Sequence, residues 1–225
     1  MAPSEALRRL DEIIRERSIL EHPFYQAWEK GMLTKSQLAT YARVYYAHVE
    51  AFPRYLEAAL THAEDPSVRA ELADNLADEL GNPAPHDELW LDFAEGVGAA
   101  RADVKAAAPH AAAKAMVSTF QELAQASLAT GVAALYAYES QQPDVSRTKA
   151  HGLRAHYGIV DADSLAYFAV HEDADVRHRA GERETLAACL AAGVPAEVVH
   201  AAAERALDAY WGLLDGVCQE IGISC

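Results

Sequence analysis

The segment His171-Glu-Asp-Ala-Asp175-Val-Arg-His178 carries three metal-type ligands at i, i+4 and i+7. On a helix, at about 100° per residue, His171, Asp175 and His178 fall within roughly one 60° sector. Imidazole and carboxylate together suit iron, manganese or zinc. The same face continues through Tyr167 and Phe168 before the trio and through Leu186 and Cys189 after it, so the trio interrupts a stripe that otherwise reads as core. Burying these groups without partners costs several kcal/mol. Taken alone, the trio has a plain alternative, in which His and Asp bond each other inside a core.

Metal ligation needs donors from several helices converging on one interior point. Glu139 ends an apolar stripe of Val117, Leu128, Val132 and Leu135. Glu79 follows Val68, Leu72 and Leu76 on one face, and His86 lies just beyond the Pro83/Pro85 turn, so Glu79 and His86 flank a helix–helix corner. Glu79, His86, Glu139, His171, Asp175 and His178 come from four segments and can hold two metals with one carboxylate bridging, as helical carboxylate sites do. The bland alternative for Glu79 or Glu139 singly is a helix-end or surface residue. Three carboxylates on three apolar stripes are harder to explain as structure, because each must be neutralised. One Glu-x-x-His run occurs, Glu197-Val-Val-His200, and reads as a solvated first turn. No His-Glu-x-x-His motif, phosphate-cradling glycine loop or Gly-x-Ser-x-Gly elbow is present.

Two further features bear on chemistry. Tyr41, Tyr45, His48 and Phe52 share a helical face, and Tyr25 lies in EHPFYQAW just before it. Such a stripe is ordinarily core, but tyrosines beside a metal–oxygen centre are oxidisable. Lys149 lies on the line Val145, Lys149, Leu153, His156. It is either a snorkelling surface lysine or a desolvated amine with a lowered pKa and nucleophilic character. Periodicity leaves both open.

The elements that must position these residues read as helical nearly throughout, rich in Ala, Leu, Glu and Arg. Helices are expected from about Ser4 to Arg17, Phe24 to Lys30, Thr34 to Ala63 with a kink at Pro53, Asp65 to Gly81, His86 to Val97, His110 to Gln142, Asp144 to His156, Asp163 to Ala192, and Pro195 to Ile221. The stretch GNPAPH reads as a turn. The expectation is an all-α bundle of about seven to nine helices, with residues 1–225 forming a single domain. A net charge of −15 argues against binding a phosphate backbone. No apolar run approaches the roughly 18 residues of a membrane span, and the charged N-terminus has no signal core. Three cysteines without metal-type spacing suit a reducing cytoplasm.

Several blocks carry a family likeness: EHPFYQAW, the run from Tyr41 through AHVEAFPRYL, NLADELGNPAPHDELWLDFA, YES around Glu139, KAHGLRAHYGI and VHEDADVRH. The chain resembles the iron-containing members of the haem-oxygenase-like superfamily. It looks most like the family of the Chlamydia protein associating with death domains (CADD), over about residues 20 to 180. The resemblance implies a haem-oxygenase-like helical bundle with Glu79, His86, Glu139, His171, Asp175 and His178 as dimetal ligands, holding two irons or manganese with iron. It implies a dimetal oxygenase that makes p-aminobenzoate for folate biosynthesis from a tyrosine of the protein itself, using O₂ and an external reductant. Tyr25 matches that tyrosine, Lys149 matches the amino donor, and Tyr41 matches a second tyrosine, as a radical relay or an alternative site. Such a protein is consumed, turning over at most once. A homodimer is implied as well. Two other readings stand beside this one: a conventional dimetal oxygenase acting on an external small molecule, which needs a substrate cavity, and a helical protein-interaction module.

Overall fold

The computed structural model describes residues 2–81 and 84–225. Helix α1 (Pro3–Glu16) starts on a proline, whose missing N–H costs nothing in a first turn, and buries Leu7, Leu10, Ile13 and Ile14. A short 3₁₀ turn, Ile19–Glu21, leads to α2 (Pro23–Glu29). There the His22 ring nitrogen Nδ1 accepts the Phe24 N–H at 3.1 Å and caps the helix. Helix α3 (Lys35–Leu60) begins with a capping box between Thr34 and Gln37 and runs through Pro53. It buries Tyr41, Tyr45, His48 and Phe52, so the aromatic stripe is core.

The remaining helices are α4 (Pro66–Gly81), α5 (His86–Gly96), α6 (Arg101–Ala106), α7 (Ala111–Ala126), α8 (Leu128–Glu139), α9 (Gln142–His156), α10 (Ala162–Ala191) and α11 (Ala196–Ile221). No strand occurs among the described residues. The expected turn GNPAPH includes Asn82 and Pro83, which lie outside the described residues.

Two segments exceed the periodic reading. The alanine-rich stretch from His110 divides at Ser127, which is extended (φ −170°) and caps α8 by accepting the Thr130 N–H. The supposed stripe of Val117, Leu128, Val132, Leu135 and Glu139 therefore spans two helices; Val132, Leu135 and Glu139 remain together on α8. Short α6 also forms, with Arg101 paired to Glu88 and Asp92 of α5. The cap of α10 is Asp161 rather than Asp163: its Oδ1 accepts the Ser164 N–H at 2.9 Å.

Helix α11 packs on α7 and α8, α10 on α5, α8 and α9, and α3 on α4, α5 and α7. A continuous apolar core joins them, with Trp28, Trp90, Tyr25, Tyr41, Tyr45 and Tyr210 among its largest fully buried side chains. The cysteines depart from a set of free thiols: Cys218 is bonded to Cys225, while Cys189 is free. No helix among the described residues is long and apolar enough to cross a membrane.

Gly152 sets the approach of α9 to α2. A Cβ added there would lie 2.8 Å from the Trp28 ring, whose indole N–H donates to the Lys149 carbonyl at 3.2 Å. Gly152→Ala should gain helix propensity and still lose stability by about 1–3 kcal/mol, because the core has no room for the methyl. Urea denaturation checks this; a variant as stable as wild type refutes it.

Candidate metal centre and the buried tyrosine–lysine cluster

All six predicted ligands are buried, and they gather as two triads. Glu79, His86 and His171 form one; Glu139, Asp175 and His178 form the other, each with its ligand atoms within 4.8 Å of one another. Helix α4 supplies Glu79, α5 supplies His86 from its first turn, α8 supplies Glu139 from its last, and α10 supplies the remaining three. The i, i+4, i+7 spacing on α10 distributes its ligands, with His171 turned to one triad and Asp175 and His178 to the other.

In the first triad, His86 Nδ1 lies 2.9 Å from Glu79 Oε1 and His171 Nε2 lies 3.9 Å from the same oxygen. His171 Nδ1 donates to the Tyr167 carbonyl at 2.6 Å, which fixes the tautomer and frees Nε2 to face Glu79. Burial, aided by His86, pushes His171 down to about 4, so its imidazole is neutral and fit to ligate. Burial opposes ionisation of Glu79, yet the His86 imidazole beside it holds its carboxyl below the usual range.

In the second triad, His178 Nδ1 lies 3.5 Å from Asp175 and 3.8 Å from Glu139. Its other nitrogen faces Asp78 at 3.1 Å. That is the carboxylate–histidine arrangement that orients a metal-binding imidazole. Asn75 Nδ2 donates to both oxygens of Glu139, at 3.0 and 3.1 Å. Burial, reinforced by Glu139 and Glu79, raises Asp175 to about 8. Burial disfavours charge on His178, but Asp175, Glu139 and Asp78 together hold it up to about 9. Protons thus take the place that cations can fill.

Asp78, Asn75 and Glu182 are site residues that the sequence reading passed over. Asp78 precedes Glu79 and reads as surface; Asn75 sits one turn before Glu79 on α4. Glu182 was legible in principle: it lies four residues after His178 and seven after Asp175, on the face that continues to Leu186. Burial, with Glu139 beside it, pushes its carboxyl well up.

The residues fit metal ions. Asp78, Glu79, Glu139, Asp175 and Glu182 are all buried around three imidazoles, and Asp175 Oδ2, His178 Nδ1 and both Glu182 oxygens lack hydrogen-bond partners. An interior so rich in carboxyls is neutralised by protons or by bound cations, and these unpartnered atoms are able to take the cations. A void of about 10 Å³ lies between the triads, lined by Glu79, His171, Glu139, Asp175, His48 and Tyr138, among others. It has room for roughly one water-sized molecule. Glu197 is exposed, and His200 bonds the Ala6 carbonyl at 2.8 Å, so that pair stands apart from the centre.

Beside the centre lies a sealed aromatic compartment. Lys149 is buried with its Nζ 4.7 Å from the Tyr25 ring centroid and 2.7 Å from the Tyr41 hydroxyl. The Tyr45, Trp90 and Phe168 rings complete its surroundings. The snorkelling alternative is thereby excluded, and burial alone pushes the amine well below the ordinary lysine range. The Tyr25 hydroxyl meets those of Tyr41 at 3.1 Å and Tyr210 at 3.0 Å. Tyr210 meets Tyr45 at 3.2 Å, and Tyr45 meets Tyr138 at 2.8 Å. Tyr138 lines the void and adjoins Glu139, so hydroxyls connect the void to Tyr25. Tyr210 lies on the last helix and was not foreseen; nothing in its spacing marks it as different from core.

Residues 39–211 match the iron-containing redox enzyme family. The chain belongs to that family. A relative from Chlamydia muridarum, named 4-aminobenzoate synthase, is 44% identical over 210 residues, covering 93% of this chain and 88% of the relative. One of the same name from Nitrosomonas europaea is 37% identical over 227 residues, covering 96% and 92%. A CADD-like protein from Nostoc punctiforme superposes with a TM-score of 0.77 at 24% identity, covering 99% of both chains. A TenA homologue from Pseudomonas syringae reaches 0.82 at 19% identity, covering 97% of this chain and 96% of that one. These two share the fold. The likeness to the CADD family read from the sequence is thus borne out, as is the haem-oxygenase-like all-α fold of this iron-containing family.

Two outcomes follow. Anaerobic Fe(II) or Mn(II) should raise the melting temperature of the metal-free protein, a concentration of 100 Kd adding about 2.7 kcal/mol per site. The rise should shrink in His171→Ala, and an unmoved wild-type melting curve rejects the centre. The second concerns Lys149. Between its depressed folded pKa and the ordinary value of 10.5, the unfolded chain holds a proton that the folded chain lacks. Wild-type stability therefore rises with pH across that window. Lys149→Met should be more stable than wild type at about pH 7, with the gap narrowing as the pH rises toward about 9.5. A gap that is constant with pH in urea denaturation contradicts a neutral buried amine.

Proposed function

We propose that this protein makes p-aminobenzoate from its own residues, with Tyr25 giving the aromatic ring and Lys149 the nitrogen. The observation that carries the reading is the amine of Lys149 lying over the Tyr25 ring, inside a closed compartment adjoining the two triads. Relatives named 4-aminobenzoate synthase support the product, and membership of the iron-containing family supports the chemistry.

Glu79, His86 and His171 would hold one metal ion and Glu139, Asp175 and His178 the other, as two irons or manganese with iron. When bound, the metals supply oxidising power from O₂ and an external reductant. The chain's own residues do the rest. The void between the triads has room for roughly one water-sized molecule and none for an organic substrate. That favours an internal substrate over an external one. The phenols of Tyr138, Tyr45 and Tyr210 can each give up an electron while handing a proton to a hydrogen-bonded neighbour, which links the void to Tyr25.

At the far end, the unprotonated Lys149 keeps its lone pair for the ring. The Tyr41 hydroxyl touches both the Lys149 amine and the Tyr25 hydroxyl, so it brings the nitrogen to the phenolic end of the Tyr25 ring. Breaking the Tyr25 Cα–Cβ bond frees the ring, and O₂ oxidises Cβ to the carboxyl carbon. The Lys149 nitrogen condenses with the oxidised ring, the phenolic oxygen leaves as water, and hydrolysis of the Cε–Nζ bond leaves the nitrogen on the ring and Lys149 as an aldehyde. The protein is then spent after one turnover. We place the reaction in the cytoplasm, where reductant is at hand, and take the chain to act as a homodimer.

Protein carrying ring-¹³C tyrosine and ε-¹⁵N lysine, loaded with metal and given O₂ and reductant, should release p-aminobenzoate bearing both labels, at no more than one per chain. Tyr25→Phe and Lys149→Ala should yield none above background and should fail to rescue a p-aminobenzoate auxotroph. Unlabelled product, or full yield from Tyr25→Phe, sinks the self-consuming route.

A further inference from the structure

We propose that Glu182 is a seventh metal-binding side chain, a carboxylate ligand to the ion held by Glu139, Asp175 and His178. The proposal rests on the two-triad metal centre and extends it by a residue outside both triads.

Glu182 continues the ligand face of α10, one turn beyond His178 and two beyond Asp175. It is 4% exposed. Neither of its oxygens has a hydrogen-bond donor. Its chain neighbour Arg183 is turned away to Asp11, at 3.0 Å, and Arg177 is committed to Asp78, also at 3.0 Å. The group beside Glu182 is Glu139, a second carboxylate. Glu139 is already served by the Asn75 amide at both oxygens, so it does not need Glu182.

Two carboxyls buried against each other must be neutralised, by a shared proton in the metal-free protein or by a cation between them in the loaded one. The atoms that would share that cation are also without partners: Asp175 Oδ2 and His178 Nδ1. With Glu182 the difference between the two sites widens. Glu79, His86 and His171 offer one carboxylate and two imidazoles, whereas Glu139, Asp175, Glu182 and His178 offer three carboxylates and one imidazole. The oxygen-rich site suits a harder cation such as Mn(II).

The test is an anaerobic Mn(II) titration of the metal-free full-length protein, with free Mn(II) followed by electron paramagnetic resonance and bound metal counted by mass spectrometry. Wild type should take up two Mn(II). Glu182→Gln, which keeps shape and hydrogen-bonding capacity but loses the anionic donor, should weaken one of the two at least tenfold, and Glu182→Asp should fall between. A merely structural Glu182 leaves both affinities unmoved in the Gln variant, and that result overturns the proposal while sparing the metal centre. A wild type that binds no Mn(II) or Fe(II) overturns the centre itself, and the proposal with it. Should the Gln variant fail to fold by circular dichroism, Mn(II)-soaked crystals of wild type decide. A Glu182 oxygen bonded to an anomalous Mn peak supports the assignment, and a Glu182 turned away from that peak overturns it.

Discussion

Five carboxyl groups buried around three imidazoles set the constraint on which the rest of this structure depends. Asp78, Glu79, Glu139, Asp175 and Glu182 cannot all be ionised in a low-dielectric interior without positive charge among them. Arg177 reaches Asp78 from the surface, and no other guanidinium pairs with this group among the described residues. The raised pKa values of Asp175 and His178 express the same conflict: their mutual fit is maintained by protons. Metal ions bound there would replace those protons, as the proposed centre requires.

That constraint dictates the architecture around it. Four helices must converge with ligand-bearing faces inward, and each ligand needs a second contact to hold it. Tyr167 offers its carbonyl to His171, Asp78 faces His178, and Asn75 grips Glu139. These contacts fix which atom of each ligand faces the interior. They cost backbone and polar groups that an ordinary core would satisfy elsewhere, and the surrounding aromatic layer keeps water from competing for them.

The aromatic compartment answers a different requirement. An amine and several phenols lie together without a carboxylate to charge them, so burial disfavours the charged form of Lys149 and of the tyrosines alike. Each hydroxyl finds its partner in another hydroxyl or in the amine. The compartment and the candidate metal centre meet at Tyr138 and Glu139, consecutive residues that both line the void. The relatives named 4-aminobenzoate synthase give this adjacency its meaning under the proposed function.

The sequence alone determined the helical class and the six candidate ligand positions, and the family likeness drew attention to Tyr25 and Lys149. Helical periodicity is local, and it places the three polar groups together on one apolar face of α10. Other features depended on the tertiary structure. Spacing left Lys149 equally able to snorkel or to be buried, and only the packing of α9 against α2, with Trp28 closing over Gly152, shuts it in. The break at Ser127 was hidden by alanine's indifference to which side of a helix it faces. Tyr210 and Asn75 come from α11 and α4, far in sequence from the side chains they touch, and nothing in their own spacing sets them apart. Periodicity reports which face of a helix turns inward; which inward-facing groups meet is decided by the docking of helices, a long-range property that no single segment encodes.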